Sequence, residues 1–112
     1  TPIGIGVDEF WQAQIEGKNG IERISHFNPG EYRSQMAGEV KKFLPQEWMD
    51  KKTVQRFDRF SHFAIASAVM AFEDAALDRF EFDATRAGVI IGSGIGGSLT
   101  IQNGILKLRD KG

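Results

Sequence analysis

The chain has 112 residues, of which 41% are hydrophobic; this suits one folded domain with a modest core and argues against disorder. Its 14 basic and 15 acidic residues nearly cancel, so no overall field favours nucleic acid or a membrane surface as partner. The absence of cysteine excludes disulfides, thiolate metal sites and a cysteine nucleophile within these residues, and no apolar run approaches the roughly 20 residues that span a bilayer.

The first predicted element is a short amphipathic helix. Val7, Phe10, Trp11 and Ile15 follow the i, i+3, i+4, i+8 spacing of one helix face. Gly17 predicts where this helix ends, because glycine readily adopts the left-handed conformation that stops a helix.

The segment that follows is largely irregular. Residues 28–30 predict a turn, residues 36–40 a short exposed strand and residues 45–49 a single helical turn. Residues 51–57 are basic, with Lys51, Lys52 and Arg56 close together.

The strongest predicted helix covers residues 59–77, with Asp58 as its N-cap. A stripe of small residues, mainly alanine, runs along one side, and larger apolar residues extend the surface around it. A helix that is apolar nearly all round is buried, so we expect it to lie between layers or between subunits. A polar connector follows at residues 78–86, with Phe80 and Phe82 available to pack.

Residues 87–91 form a short apolar run rich in β-branched side chains, typical of a strand buried in a parallel sheet. A glycine loop at residues 92–97 and a helix at about residues 99–108 follow. This order predicts the α/β class. One strand is too few for a complete sheet, and both termini read as interrupted loops, so we expect a part of a larger domain.

The glycine loop has two interpretations. Gly92, Gly94 and Gly97 fit the G-x-G-x-x-G pattern of dinucleotide-binding proteins. That site needs a second strand after a crossover, and the candidate at residues 104–109 leaves about six residues where a dozen or more are required. The residues by themselves therefore favour a tight turn with close backbone packing.

The chain resembles type II β-ketoacyl-acyl-carrier-protein synthases, the longer-chain condensing enzymes of fatty acid synthesis in the thiolase superfamily. Matching segments occur in the family's order over essentially the whole chain. They are residues 1–4, 10–11, 17–21, 37–40, 50–52 and 56–60, the alanine-rich helix, and residues 87–97.

The resemblance implies the N-terminal part of a thiolase-like layered α/β fold, usually a homodimer, with residues 1–112 as one portion of a synthase domain. The family transfers an acyl group to a cysteine, decarboxylates malonyl-carrier protein and joins the two, with two histidines stabilising the charge that develops. In the family these residues follow the part that matches this chain. His26 and His62 do not align with the catalytic pair, so we expect no catalytic residue, metal site or cofactor here, and no activity of residues 1–112 alone.

The resemblance also assigns binding roles. Ile95 matches a position that lines the acyl-chain pocket near the dimer interface; the alternative is an ordinary core residue. Lys51, Lys52 and Arg56 lie on the segment that docks the acidic acyl carrier protein, although Gln55 departs from a position that is often basic. The alternative is a solvated charge cluster.

Three functions remain open at this stage. They are a fatty acid condensing enzyme acting on acyl and malonyl thioesters, a polyketide ketosynthase or inactive partner subunit of the same fold, and a nucleotide-binding domain using the three glycines. For the first, we expect a bacterial cytoplasmic protein, or a plastid or mitochondrial one in a eukaryote, with neither nucleic acid nor membrane as partner.

Overall fold

The structure, a computed structural model, describes residues 1–77 and 82–112 and divides into two compact units, Thr1–Phe43 and Leu44–Gly112. In the first unit, helix α1 spans Gly6–Ile15, as the apolar spacing predicted. It ends at the predicted place, where Gly17 adopts a φ of 65° that is readily accessible to glycine.

The predicted apolar face of α1 is only partly covered within its own unit, every residue of which is described. Ala13 is buried, whereas Trp11 is 61% exposed and Val7 and Ile15 are at least as exposed. Helical spacing therefore located the helix correctly, but most of its apolar stripe finds no cover in this unit.

Two short strands complete the first unit. Strand β1, Glu22–Arg23, pairs antiparallel with strand β2, Met36–Ala37, and forms the only sheet in the described ranges. β2 falls within the strand predicted at residues 36–40. β1 had no signal in the sequence, because two charged residues show no alternation of apolar and polar side chains.

The described residues of the second unit are mainly helical. A 3₁₀ turn at Pro45–Glu47 confirms the predicted single turn, with proline near its start. The longer elements are helix α2 at Lys51–Arg56, helix α3 at Arg59–Asp74 and helix α4 at Ser98–Lys111. In those described residues, no helix combines the length and apolarity needed to cross a bilayer.

Helix α3 ends earlier than the predicted Leu77. Ala76 adopts a φ of 49°, and its amide donates to the carbonyl oxygen of Glu73 at 2.9 Å, which closes the helix with a turn. Only His62 and Ala66 are buried along α3, so its apolar surface is less enclosed in this chain than the sequence predicted.

The predicted strand at residues 87–91 is not formed. No backbone hydrogen bond joins residues 88–92 to another described residue, and Ile90 is 97% exposed. A strand needs a neighbouring strand that accepts and donates its backbone hydrogen bonds, and no described strand pairs with this segment. In the predicted connector, residues 78–81, including Phe80, lie outside the described residues, whereas the Phe82 ring packs edge-on against Phe72.

Candidate functional site

Helix α2 begins at an aspartate cap. Oδ1 of Asp50 accepts hydrogen bonds from the amides of Lys52 and Thr53 at 2.8 and 3.0 Å, and Oδ2 accepts from the Thr53 hydroxyl at 2.7 Å. These bonds, chiefly that of the hydroxyl, hold the pKa of Asp50 below its ordinary value of 3.8. The cap fixes the first turn of α2 and hence the directions in which its side chains leave the backbone.

The cations of α2 lie on one exposed side of the helix, called here the basic face and consisting of Lys51, Lys52 and Arg56. At about 100° per residue they fall within one sector with Gln55, while Thr53 and Val54 are half-buried on the other side. None of the three forms an ion pair with a carboxylate in the part of the chain that is described. The basic face is therefore open to an anionic partner.

The glycine loop, residues 92–97, is closed by a local hydrogen bond. The amide of Gly96 donates to the Ser93 hydroxyl oxygen at 3.0 Å. Gly96 has a φ of 69°, in the left-handed region that favours glycine. The bond and the turn make Ile95 part of a defined loop beside helix α3.

Asp58 holds the other end of the glycine loop. Its side chain makes no cap hydrogen bond to α3, although its position before that helix predicted one. Instead its carboxylate accepts from the Thr100 hydroxyl at 2.6 Å and from the Thr100 amide at 3.2 Å, across 42 residues of sequence. Thr100 lies in the first turn of α4, whose N-cap Gly97 has no side chain, so Asp58 caps α4 in place of Gly97.

Sequence reasoning missed the bond between Asp58 and Thr100. The one available signal was a helix start at Gly97 without a side chain to cap it. A Cβ on Gly97 would lie 3.1 Å from Oδ2 of Asp58, so the glycine leaves room for the carboxylate. The bond also removes the basis of the nucleotide interpretation, because a carboxylate already occupies the helix N-terminus where a pyrophosphate would bind. Residues 104–109, the required second strand, lie within α4.

Ile95 projects from the glycine loop and is 79% exposed. It lines neither of two apolar cavities found among the described residues of its unit. The larger, about 560 Å³, lies between α3 and residues 87–91, and Ala68, Ala71 and Val89 are among the residues that line it. A cavity thus separates the small residues of α3 from residues 87–91, and the close approach of another backbone to them stays a prediction.

The predicted cations and Ile95 belong to different parts of the second unit. The basic face is on α2, whereas Ile95 follows α3 in the chain and precedes α4. Asp58 links the two regions. It lies two positions after Arg56 in the chain, and its carboxylate accepts a hydrogen bond from Thr100, just beyond the glycine loop.

The histidines lie in dissimilar surroundings. His62 is buried in α3, and its Nε2 has no hydrogen-bond partner in the described part of the chain. His26 is exposed and its Nε2 lies 3.9 Å from Oε1 of Glu39. They occupy different units, and no group of three or more metal-ligating side chains occurs among the described residues.

Glu39 organises the first unit. Its carboxylate accepts hydrogen bonds from the amide and hydroxyl of Ser25 and from the amide of His26, at 2.7 to 3.2 Å. The bonds, led by the Ser25 hydroxyl, hold the pKa of Glu39 below its ordinary value of 4.5. Lys41 adds a 2.6 Å ion pair with Glu22 and lies 3.8 Å from Glu39. With its partners within the unit, Glu39 is a structural anchor.

Comparison with known proteins matches the whole chain to one family. Residues 1–112 match the family described as β-ketoacyl synthase, N-terminal domain. The chain is 40% identical over 112 residues to a 3-oxoacyl-[acyl-carrier-protein] synthase 2 of Synechocystis sp., and 43% identical to one of Staphylococcus aureus. It covers 27% and 28% of these proteins, so it spans about a quarter of the length of the relatives it matches.

A solved structure shows the same fold. The ishigamide ketosynthase/chain length factor superposes with a TM-score of 0.75 at 25% identity, over 98% of this chain and 28% of that protein. This similarity confirms the predicted fold class, a part of a thiolase-like α/β fold, although the chain itself contributes few strands.

Proposed function

The chain belongs to the β-ketoacyl synthase family, matching its N-terminal domain over residues 1–112, and from this premise we propose that the protein elongates acyl chains in fatty acid synthesis. The reaction is a decarboxylative Claisen condensation between an acyl group and malonyl-acyl-carrier protein. The alignment of the whole chain with proteins named 3-oxoacyl-[acyl-carrier-protein] synthase 2, at 40% and 43% identity, carries this proposal.

In the proposed reaction, an acyl group first moves from its carrier protein to a cysteine, releasing the carrier thiol. Malonyl-carrier protein then loses CO₂, and the resulting carbanion attacks the acyl thioester, forming a carbon–carbon bond and releasing the cysteine thiolate. These 112 residues contain no cysteine. The part described here would contribute binding surfaces, while the nucleophile and the two histidines belong to the part of the family that follows the matched residues.

The basic face would dock the acyl carrier protein. Carrier proteins of this pathway are acidic, and three exposed cations on one side of α2 complement such a surface. Exposed charges act mainly on the rate of encounter and are screened by salt. The absence of ion pairs between the basic face and other described residues supports this role, since the cations need not leave an internal partner in order to bind.

Ile95 would form part of the wall of the acyl-chain pocket. Ile95 is exposed within this chain, and burial of a large apolar side chain is favourable in free energy. Contact with an acyl chain or with another part of the protein would therefore stabilise the complex or the fold. We also propose a homodimer, and the bacterial cytoplasm, or a plastid or mitochondrion, as the location.

A second candidate is a polyketide ketosynthase or an inactive partner subunit of the same fold. The similarity to the ishigamide ketosynthase/chain length factor supports this alternative. The two candidates differ in their substrates, and an inactive subunit differs further in having no reactive cysteine.

The proposal is tested by incubating the full-length protein with an acyl-carrier protein and malonyl-carrier protein. We expect release of CO₂ with a β-ketoacyl product two carbons longer, and a covalent acyl-enzyme seen by mass spectrometry. Absence of both with saturated acyl chains of every length would contradict fatty acid elongation. Turnover only with a β-keto chain as primer would favour the polyketide candidate.

A further inference from the structure

The two ends of the glycine loop are held by hydrogen bonds rather than by packing of its apolar side chain. Ser93 accepts from Gly96 at one end, and Asp58 binds Thr100 just beyond the other. Ile95, between them, is largely exposed and has little packing to hold it in place. The location of Ile95 relative to α3 therefore depends on these bonds.

The bond from Asp58 is the long-range one of the two. Asp58 stands immediately before α3, and Thr100 stands in the first turn of α4, so the carboxylate joins the starts of two helices. Gly97 lacks a side chain at the point where Oδ2 of Asp58 approaches, which permits this arrangement. A charged acceptor at a helix N-terminus forms a stronger bond than a neutral one, because it also meets the positive end of the helix dipole.

We infer that Asp58 is a positioning residue: through Thr100 it holds the glycine loop so that Ile95 limits the length of the acyl chain. The role of Ile95 in this inference rests on the proposed function. The attachment of the loop rests only on the contacts of Asp58, Thr100 and Gly97. Loss of the attachment would let the loop shift and change the selectivity of the pocket without removing any group that contacts the substrate.

The test uses substitutions at Thr100 in the full-length protein. Thr100→Val keeps the shape of the side chain but removes the hydroxyl donor, whereas Thr100→Ser keeps the donor. The matched control is Asp83→Asn, because Asp83 makes a similar 2.6 Å bond to the Thr85 hydroxyl away from the glycine loop. Gly97→Ala is a second variant, since its Cβ would press on the Asp58 carboxylate.

The measured quantity is the ratio of kcat/KM for a long acyl chain to that for a short one. We expect Thr100→Val and Gly97→Ala each to change this ratio by about tenfold. Loss of one charge-assisted hydrogen bond changes the equilibrium between the attached and the released loop by about this factor. Thr100→Ser and Asp83→Asn are expected to stay within about twofold of the wild type. A wild-type ratio in both Thr100→Val and Gly97→Ala would overturn the inference.

Amide hydrogen exchange separates this inference from the proposed function. If the wild type forms no β-ketoacyl product, the proposed function fails and with it the selectivity role of Ile95. In that case, the rate of amide exchange over residues 93–101 alone tests whether the bond between Asp58 and Thr100 holds the glycine loop. About tenfold faster exchange in Thr100→Val, but not in Asp83→Asn, would support it, and unchanged exchange would overturn it.

Discussion

At the scale of single residues, Ile95 is the position where one side chain is expected to control substrate choice. Ile95→Phe should shorten the acyl chains that the full-length protein accepts, because the ring would fill space otherwise used by the terminal carbons. We expect at least about a tenfold loss of kcat/KM for long chains, with short chains little changed. The measurement is kcat/KM across a series of acyl-carrier proteins.

The control for Ile95 is Lys107→Phe, which places the same ring at an exposed, polar position on α4. This variant is expected to retain the chain-length profile of the wild type. An unchanged profile in Ile95→Phe would contradict the pocket assignment.

Asp50 is a second residue with a specific prediction. Asp50→Ala removes the acceptor for Lys52, Thr53 and the Thr53 hydroxyl, and we expect amide exchange at Lys52 and Thr53 to rise about fivefold. Asp50→Asn retains an acceptor and should behave more like the wild type. Equal exchange in Asp50→Ala and the wild type would show that the cap does not hold the first turn of α2.

Glu39 gives a prediction of pH dependence. The pKa of Glu39 is lowered in the folded protein. The ionised carboxylate therefore contributes fully to stability at pH values above the ordinary pKa of 4.5, and this contribution is lost as the pH falls through the lower pKa of the folded state. Glu39→Gln should therefore be less stable than the wild type at pH 7, and the difference in Tm should shrink as the pH falls below 4.5.

Scanning calorimetry of both proteins at several pH values measures this change. Glu31→Gln is the control, since Glu31 has no hydrogen bond or ion pair among the described residues. A constant difference in Tm between the wild type and Glu39→Gln at every pH would contradict the role of the Glu39 charge.

At the scale of elements, helix α2 shows how a short segment can present charge. Lys52→Glu with Arg56→Glu should weaken binding of the acyl carrier protein about tenfold or more at low salt, with a smaller effect at high salt, because the interaction becomes repulsive but is screened. Isothermal titration at two ionic strengths measures the effect.

The matched control for α2 is Lys107→Glu with Lys111→Glu, which reverses two exposed cations at the same spacing on α4. Carrier binding in this control is expected to remain near that of the wild type. Equal Kd values at low salt for the α2 double variant and the wild type would remove the docking assignment.

Elements also show where prediction from sequence succeeded. α1, the turn at Pro45 and the start of α3 were predicted because apolar spacing, glycine and proline act over a few residues. Residues 87–91 were wrongly predicted as a strand because their apolar, β-branched composition expresses a preference, whereas a strand also requires a partner.

At the scale of the whole molecule, the chain exposes many large apolar side chains, including Ile90 and most of the apolar face of α1. Extended apolar surfaces of this kind mark places where proteins contact other segments or other chains. In a layered fold such as that of the family, these surfaces are expected to be covered by further layers.

A whole-molecule prediction follows from the absence of cysteine. Residues 1–112 expressed alone should form no acyl-enzyme and no β-ketoacyl product, because no thiol is available to carry the acyl group. The full-length protein assayed in parallel is the positive control. Condensation by residues 1–112 alone would contradict the proposed division between binding surface and chemistry.

The sequence by itself determined the family, the α/β class and the positions of the main helices, because each depends on local spacing or on ordered motifs. It also showed that Lys51, Lys52 and Arg56 share a short segment, but the helix that brings them to one side of α2 was not predicted. Tertiary structure alone decided that Asp58 caps α4 instead of α3, and that Ile95 is exposed in a loop held by hydrogen bonds. The physical reason is that a carboxylate can satisfy either helix start, and only the path of the chain between residues 58 and 100 brings the second one within reach.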